Sequence, residues 1–136
     1  MRLKRFSLNI NHKIKPFKKT IKVDSDKSIS IRSFLISSIS HDISKVDNVL
    51  ESDDVFSTIK CLRKLGVRIV KVKPKKYLIY GKGLGSLFIK KNSILNFQNS
   101  GTLCRLLVGI ISTTPGIQVK IKGDNSLNKR DMSKFF

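Results

Sequence analysis

Three stretches of this 136-residue chain join small polar residues to cations in a pattern that suits an anion. In DKSISIR (26–32), Lys27 and Ser28 stand at the start of an apolar helical pattern, and Arg32 follows one turn later. A helix N-terminus carries unpaired N–H groups and the positive end of the macrodipole, and both attract negative charge. Residues four apart share a helix face, so Ser28 and Arg32 project together near that end. NSGTLCRLL (99–107) repeats the design. Asn99, Ser100, Gly101 and Thr102 make a small polar helix start, where glycine lets a ligand approach the backbone, and Arg105 follows. GDNSLNKRDM (123–132) leaves a strand through a Gly-Asp turn and carries Ser126, Lys129 and Arg130 on a loop, where sites are commonly built. Each stretch alone is equally well a plain helix cap or a solvated polar face. Three in one small chain weigh toward an anionic ligand.

Other residues offer less. GKGLG (81–85) has the composition of a phosphate loop, but its glycines lead toward another apolar run, SLFI, instead of a helix. It lacks the Gly-Lys-Ser/Thr ending of a P-loop, so a hairpin turn is the expected role. His12 and His41 have no partner at ligand or triad spacing and read as surface residues. Cys61 and Cys104 match no metal spacing and fall in apolar segments, where each serves as a small buried hydrophobe.

The elements that must carry these residues alternate between strand and helix. KKTIKV (18–23) reads as a strand, followed by a helix from Lys27 to Ser40 with Ile31, Phe34, Leu35 and Ile39 on its apolar face. SKVDNVL (44–50) reads as a strand. Ser52 then caps a second helix with Asp53 and Asp54 in its first turn, and Gly66 ends it. VRIVKV (67–72) and KYLIYG (76–81) form a hairpin around Pro74, and SLFI (86–89) is a further strand. A third helix spans Ser100–Ser112, and IQVKIKG (117–123) is a strand of clean alternation. This order implies an α/β (α+β) layer architecture.

Composition sets outer bounds. Hydrophobic residues make up 40% and charged residues 27%, which is globular rather than disordered. No apolar run approaches the ~18 residues of a membrane span, and the basic N-terminus has no apolar core of a secretory signal, so a cytoplasmic location is expected. The net charge of +19 raises a basic nucleic-acid-binding module as an alternative. Against it, the cations are scattered, aromatics are 7%, and the chain is rich in Lys and Ile with no alanine, as A/T-biased coding produces.

Taken in order, VDSDKSISIR, LESDDVFSTIKCLRKLGV, NSGTLCRLL and GDNSLNKRDM resemble the signature motifs of the enolpyruvyl transferase family, across residues 16–134. The branch acting on shikimate 3-phosphate usually reads Pro-Gly-Asp-Lys-Ser-x-Ser-His-Arg at the first motif. The branch acting on UDP-N-acetylglucosamine, with Gly-Ala-Lys-Asn-Ala there and a reactive cysteine in a glycine-containing loop, fits less well. Here Asp24 and Ser25 replace Pro-Gly, Ile31 replaces His, and Asp131 replaces the proline after Arg130, where it stands to weaken an anion contact.

The resemblance implies transfer of the enolpyruvyl group of phosphoenolpyruvate to the 5-hydroxyl of shikimate 3-phosphate, without metal or organic cofactor. It assigns Lys27, Ser28 and Arg32 to shikimate 3-phosphate, and Lys27, Gly101 and Arg130 to phosphoenolpyruvate, with Asn99, Thr102 and Arg105 in support. It implies an inside-out α/β domain built from repeated βαβαββ-type units, incomplete over residues 16–136. Residues 1–15 would be a strand region belonging to a partner domain. The family's catalytic Asp and Glu lie in that second domain, so this chain reads as an inactive N-terminal fragment without catalytic residues, of an enzyme monomeric at full length.

Overall fold

The structure is a computed structural model, and it describes residues 23–130 together with Asn9, Asn11 and Lys18. The strand expected at 18–23, the N-terminal region 1–15, His12 and Asp131 therefore lie wholly or largely outside the described residues.

Helix α1 (Lys27–Ile39) begins where Asp26 accepts a hydrogen bond from the Ile29 N–H at 2.7 Å. Such a cap satisfies one of the orphan donors and fixes the start of the helix. Its inward face holds Ile31, Phe34 and Leu35, all fully or nearly fully buried. Strand β1 (Ile43–Val46) is shorter than the expected 44–50, because the chain turns at Asp47-Asn48 with Asn48 at φ 58°. Asparagine tolerates this left-handed geometry, which breaks the regular strand here.

Helix α2 (Asp53–Lys64) buries Val55, Ile59 and Leu62 and ends before Gly66, whose φ of 85° is the left-handed stop the sequence predicts. Ser52 occupies the cap position, but its hydroxyl makes no capping bond and is buried without a partner. The acids of the first turn, Asp53 and Asp54, complement the dipole in its place. Strands β2 (Arg68–Lys73) and β3 (Lys76–Tyr80) form the expected antiparallel hairpin, and β1 pairs with β3 to give the order β1-β3-β2.

The strand expected at 86–89 does not form. That stretch joins no ladder among the described residues; Leu87 is buried in the core instead, and the Phe88 N–H donates to the Leu65 carbonyl at 3.2 Å. The strand lies further on, as β4 (Ile94–Gln98), with Leu95 and Phe97 turned into the core. Helix α3 (Gly101–Ser112) connects β4 to β5 (Lys120–Gly123), which runs parallel to it. β5 is shorter than the expected 117–123, since β4 offers a ladder for only its last residues. A single turn, α4 (Asn125–Asn128), follows.

α1 packs on the three-stranded sheet, α2 on β4, and α1 on both α2 and α3. One core joins them, from Ile31, Phe34 and Leu35 through Leu62, Tyr77 and Ile79 to Phe97, Leu103 and Leu107. The architecture is mixed α/β, and the described run α1-β1-α2-β2-β3 has the order expected of a βαβαββ unit from its first helix onward.

Candidate functional site

The helix starts meet because α1 packs against both α2 and α3, and residues from the first turns of all three line one hollow. Lys27, the first residue of α1, places its Nζ 2.9 Å from Oδ2 of Asp54 in the first turn of α2. The Asp54 side chain is 20% exposed and that of Lys27 50%, so the pair sits at the rim of a hollow, open to solvent on the lysine side.

The start of α3 is built differently. Ser100, itself buried, caps it by accepting from the Leu103 N–H at 3.3 Å. Gly101 is buried at the first helical position, with its N–H turned back to the Asn99 carbonyl at 3.1 Å. A Cβ on Gly101 would stand 2.7 Å from Nη1 of Arg130. The bare Cα thus leaves room for the guanidinium in this position, and any side chain would displace it.

Arg130 reaches this point because the Gly-Asp turn folds sharply. The Asp124 carboxylate caps α4 by accepting from the Leu127 N–H at 2.7 Å, and the Arg130 N–H closes on the Leu127 carbonyl at 3.1 Å. A Cβ on Gly123 would fall within 3 Å of Leu127 and Asn128, so this turn needs glycine. The guanidinium then donates from Nη2 to Oδ1 of Asn99 at 2.7 Å, which pins it beside the α3 terminus.

Lys27, Asp54, Asn99, Gly101, Thr102, Arg105 and Arg130 line one cavity of about 210 Å³. Lysine, two arginines, an amide, a hydroxyl and the positive end of α3 converge there, with a single carboxylate among them. That donor set fits a small polyanion, because charge-assisted hydrogen bonds to phosphate or carboxylate oxygens are the strong ones. A larger hollow of about 470 Å³ adjoins through Asp54 and Asn99, and Asp53, Lys122 and Asp124 also line it.

Six of the eight residues singled out from the sequence thus share one cavity. Ser28 and Arg32 do not line it; they lie along the same end of α1, half-buried and exposed respectively. Ile31, at the position of the motif's histidine, is fully buried, so that departure changes the core and leaves the cavity untouched.

Asp54 is the lining residue that sequence reasoning missed. Its place in LESDD was visible, but an acid in a first helical turn is already accounted for by the dipole.

Neither cysteine lines the cavity. Burial pushes the Cys61 thiol up to about 11 and raises that of Cys104, which makes both poor nucleophiles. GKGLG is no phosphate loop, and no hairpin either. Its N–H groups close on the end of α1, from Lys82 to the Ser38 carbonyl at 2.9 Å and from Gly83 to the Ser40 carbonyl at 3.0 Å. Among the described residues no helix is long and apolar enough to cross a membrane.

Comparison with known proteins follows the same residues. The chain is 38% identical over 125 residues to a 3-phosphoshikimate 1-carboxyvinyltransferase of Syntrophomonas wolfei, and the match covers 92% of this chain and 28% of that protein. A protein of the same name from Leptospira interrogans is 41% identical, again over 92% of this chain and 28% of its own length. The chain thus spans little more than a quarter of the relatives it matches. Among solved structures, an EPSP synthase from Acinetobacter baumannii superposes with a TM-score of 0.75 at 34% identity, over 84% of this chain and 26% of that one. The family model for EPSP synthase (3-phosphoshikimate 1-carboxyvinyltransferase) matches residues 11–136, and with the motifs placed as they are around one cationic cavity, the chain belongs to that family.

Proposed function

We propose that this chain forms the anion-gripping part of an enzyme that moves the enolpyruvyl group of phosphoenolpyruvate onto the 5-hydroxyl of shikimate 3-phosphate. In that reaction the hydroxyl oxygen adds to C2 of phosphoenolpyruvate while C3 takes up a proton and the hydroxyl gives one up, forming a tetrahedral intermediate. Loss of a C3 proton together with inorganic phosphate then restores the double bond and leaves the enolpyruvyl ether. Both substrates are polyanions, and holding them together requires fixed cations that need no reorganisation as charge shifts.

Lys27 contacts both substrates in this reading. Arg130 and the backbone around Gly101 take the phosphate and carboxylate oxygens of phosphoenolpyruvate, while Ser28 and Arg32 hold shikimate 3-phosphate on the outer side of α1. Asn99 keeps the Arg130 fork aimed, and Thr102 and Arg105 complete the wall. The observation that carries the reading is the convergence of Lys27, Gly101, Thr102, Arg105 and Arg130, drawn from three separated segments, on one cavity.

On the resemblance the acid–base carboxylates belong to a second domain, so the purified 136 residues are expected to bind without turning over. Phosphoenolpyruvate titrated into the isotope-labelled chain should shift the amides of 99–103 and 127–130 with a Kd on the order of millimolar, as for half a site. Arg130→Ala should abolish those shifts. The reading is overturned if the variant responds as the unmutated chain does, or if DNA binds instead with affinity falling linearly on a log–log plot against salt.

A further inference from the structure

Asp54 is the one carboxylate among the side chains lining the cavity, and a bare acid in an anion site opposes its ligand. Its neighbour Asp53 shares the first turn of α2 but is exposed and lies outside this cavity. Asp54 is mostly buried, and its Oδ2 lies 2.9 Å from the Lys27 ammonium. The packing of α1 on α2 fixes the two backbones relative to one another.

Lysine is a point charge on a flexible four-carbon stem, and without an anchor its ammonium samples many positions. The acid nearest in sequence is already engaged, since Asp26 Oδ1 accepts from the Ile29 N–H at 2.7 Å. We propose that Asp54 is a positioning residue: its carboxylate holds the Lys27 ammonium at the mouth of the cavity and is neutralised by it. An arriving phosphate then meets an aimed cation, not a roving one beside a naked acid. This rests on the reading that the cavity takes phosphoenolpyruvate.

The pairing makes the two residues interdependent in a way a structural role does not. Lys27→Ala removes the cation and also leaves Asp54 unpaired facing the ligand, so its loss of affinity exceeds that of the missing ammonium. Asp54→Asn in the same chain removes the repulsion and should restore about five- to tenfold of the lost affinity. Asp53→Asn, which changes the same helix charge at an outward position, should restore none.

The measurement is a phosphoenolpyruvate titration at fixed ionic strength, followed by amide shifts, of the unmutated chain, Lys27→Ala, Lys27→Ala/Asp54→Asn and Lys27→Ala/Asp53→Asn. Alongside it, the Lys27 ammonium is observed directly by 15Nζ relaxation in the unliganded protein. Its order should be high in the unmutated chain and fall to that of the surface lysines in Asp54→Asn. Should the asparagine variant not fold, Asp54→Ser repeats both arms. A Lys27→Ala loss that Asp54→Asn does not restore, with Arg130→Ala still abolishing binding, overturns the positioning role alone. Absence of phosphoenolpyruvate binding to the unmutated chain overturns the reading of the cavity, and this inference falls with it.

Discussion

Two glycine-bearing stretches, GKGLG (81–85) and NSGT (99–102), look alike as anion sites, and the fold gives them opposite duties. NSGT opens α3, so the positive end of a helix dipole faces the cavity that Arg130 and Lys27 share. GKGLG backs onto the closing end of α1, and the N–H groups of Lys82 and Gly83 are committed to the Ser38 and Ser40 carbonyls. The Lys82 ammonium, meanwhile, lies 5.5 Å over the Phe88 ring. Glycine beside a cation is therefore not the determinant. What decides is which end of a helix the glycine backbone meets, because N-termini lack acceptors while C-termini present unpaired carbonyls that consume donors.

The two glycines at the centre of this contrast should fail in different ways. A Cβ on Gly81 would stand 2.1 Å from the Ser40 carbonyl oxygen and 2.8 Å from that of Ser37. Both are backbone atoms of the α1 terminus and cannot swing aside. Gly81→Ala should cost about 3 kcal/mol of stability, in the range of overpacked cores. Urea denaturation reads this as a lower midpoint with an unchanged slope; a variant as stable as the original would show that the GKGLG–α1 contact is dispensable.

Gly101→Ala is the counterpart, with a smaller effect of another kind. Its Cβ meets only the far end of Arg130, a flexible side chain that yields without disturbing the core. Alanine is also a better helix residue than glycine. Stability should stay the same or rise slightly. Phosphoenolpyruvate affinity should fall about tenfold, or ~1.4 kcal/mol, as the displaced guanidinium loses its fork. The contrast drawn above collapses if Gly101→Ala binds normally, or if it unfolds the chain as Gly81→Ala does.

How much of this was legible in the sequence follows from range. Helices α1, α2 and α3 are legible to within about a residue at each end, because apolar periodicity, polar helix starts and the Gly66 stop are local signals. The strand at 94–98 is not. ILNFQ offers only Leu95 and Phe97 as inward residues, whereas the apolar SLFI run just before looks stronger but pairs with no strand among the described residues. Partner availability is a tertiary property. The cavity divides along the same line: Lys27, Gly101 and Arg130 are readable from residue type and motif, whereas the Lys27–Asp54 contact depends on how α1 crosses α2. The absent Ser52 capping bond belongs with it, a local rule set aside by packing.

The smallest expected effect tests the sheet that carries GKGLG against the site that NSGT opens. β3, which runs into Gly81, is tied down by Glu51. Its Oε1 accepts from the Tyr77 hydroxyl at 2.6 Å and the Lys75 N–H at 3.2 Å, and it lies 2.8 Å from Lys71 Nζ. Tyr77 in turn packs edge-on against Phe34 of α1, with ring centroids 5.2 Å apart. The Lys71 and Tyr77 hydrogen bonds lower the Glu51 carboxyl from 4.5 to about 2. A carboxylate depressed in the folded state contributes stability that is full above its unfolded value and lost as pH falls from there toward the folded one. The window is therefore pH 5 to 2. Because the pair reaches solvent, the change between pH 6 and 3 should stay below about 1 kcal/mol. Denaturation at those two pH values, in the unmutated chain and in Glu51→Gln, isolates the contribution: the variant should be less stable at pH 6 and lose less on acidification. Acid loss of equal size in both would assign it to other carboxylates. A change in the phosphoenolpyruvate affinity of Glu51→Gln at pH 7 would mean that the sheet and the cavity are not energetically separate, against the division of duties between the two glycine stretches.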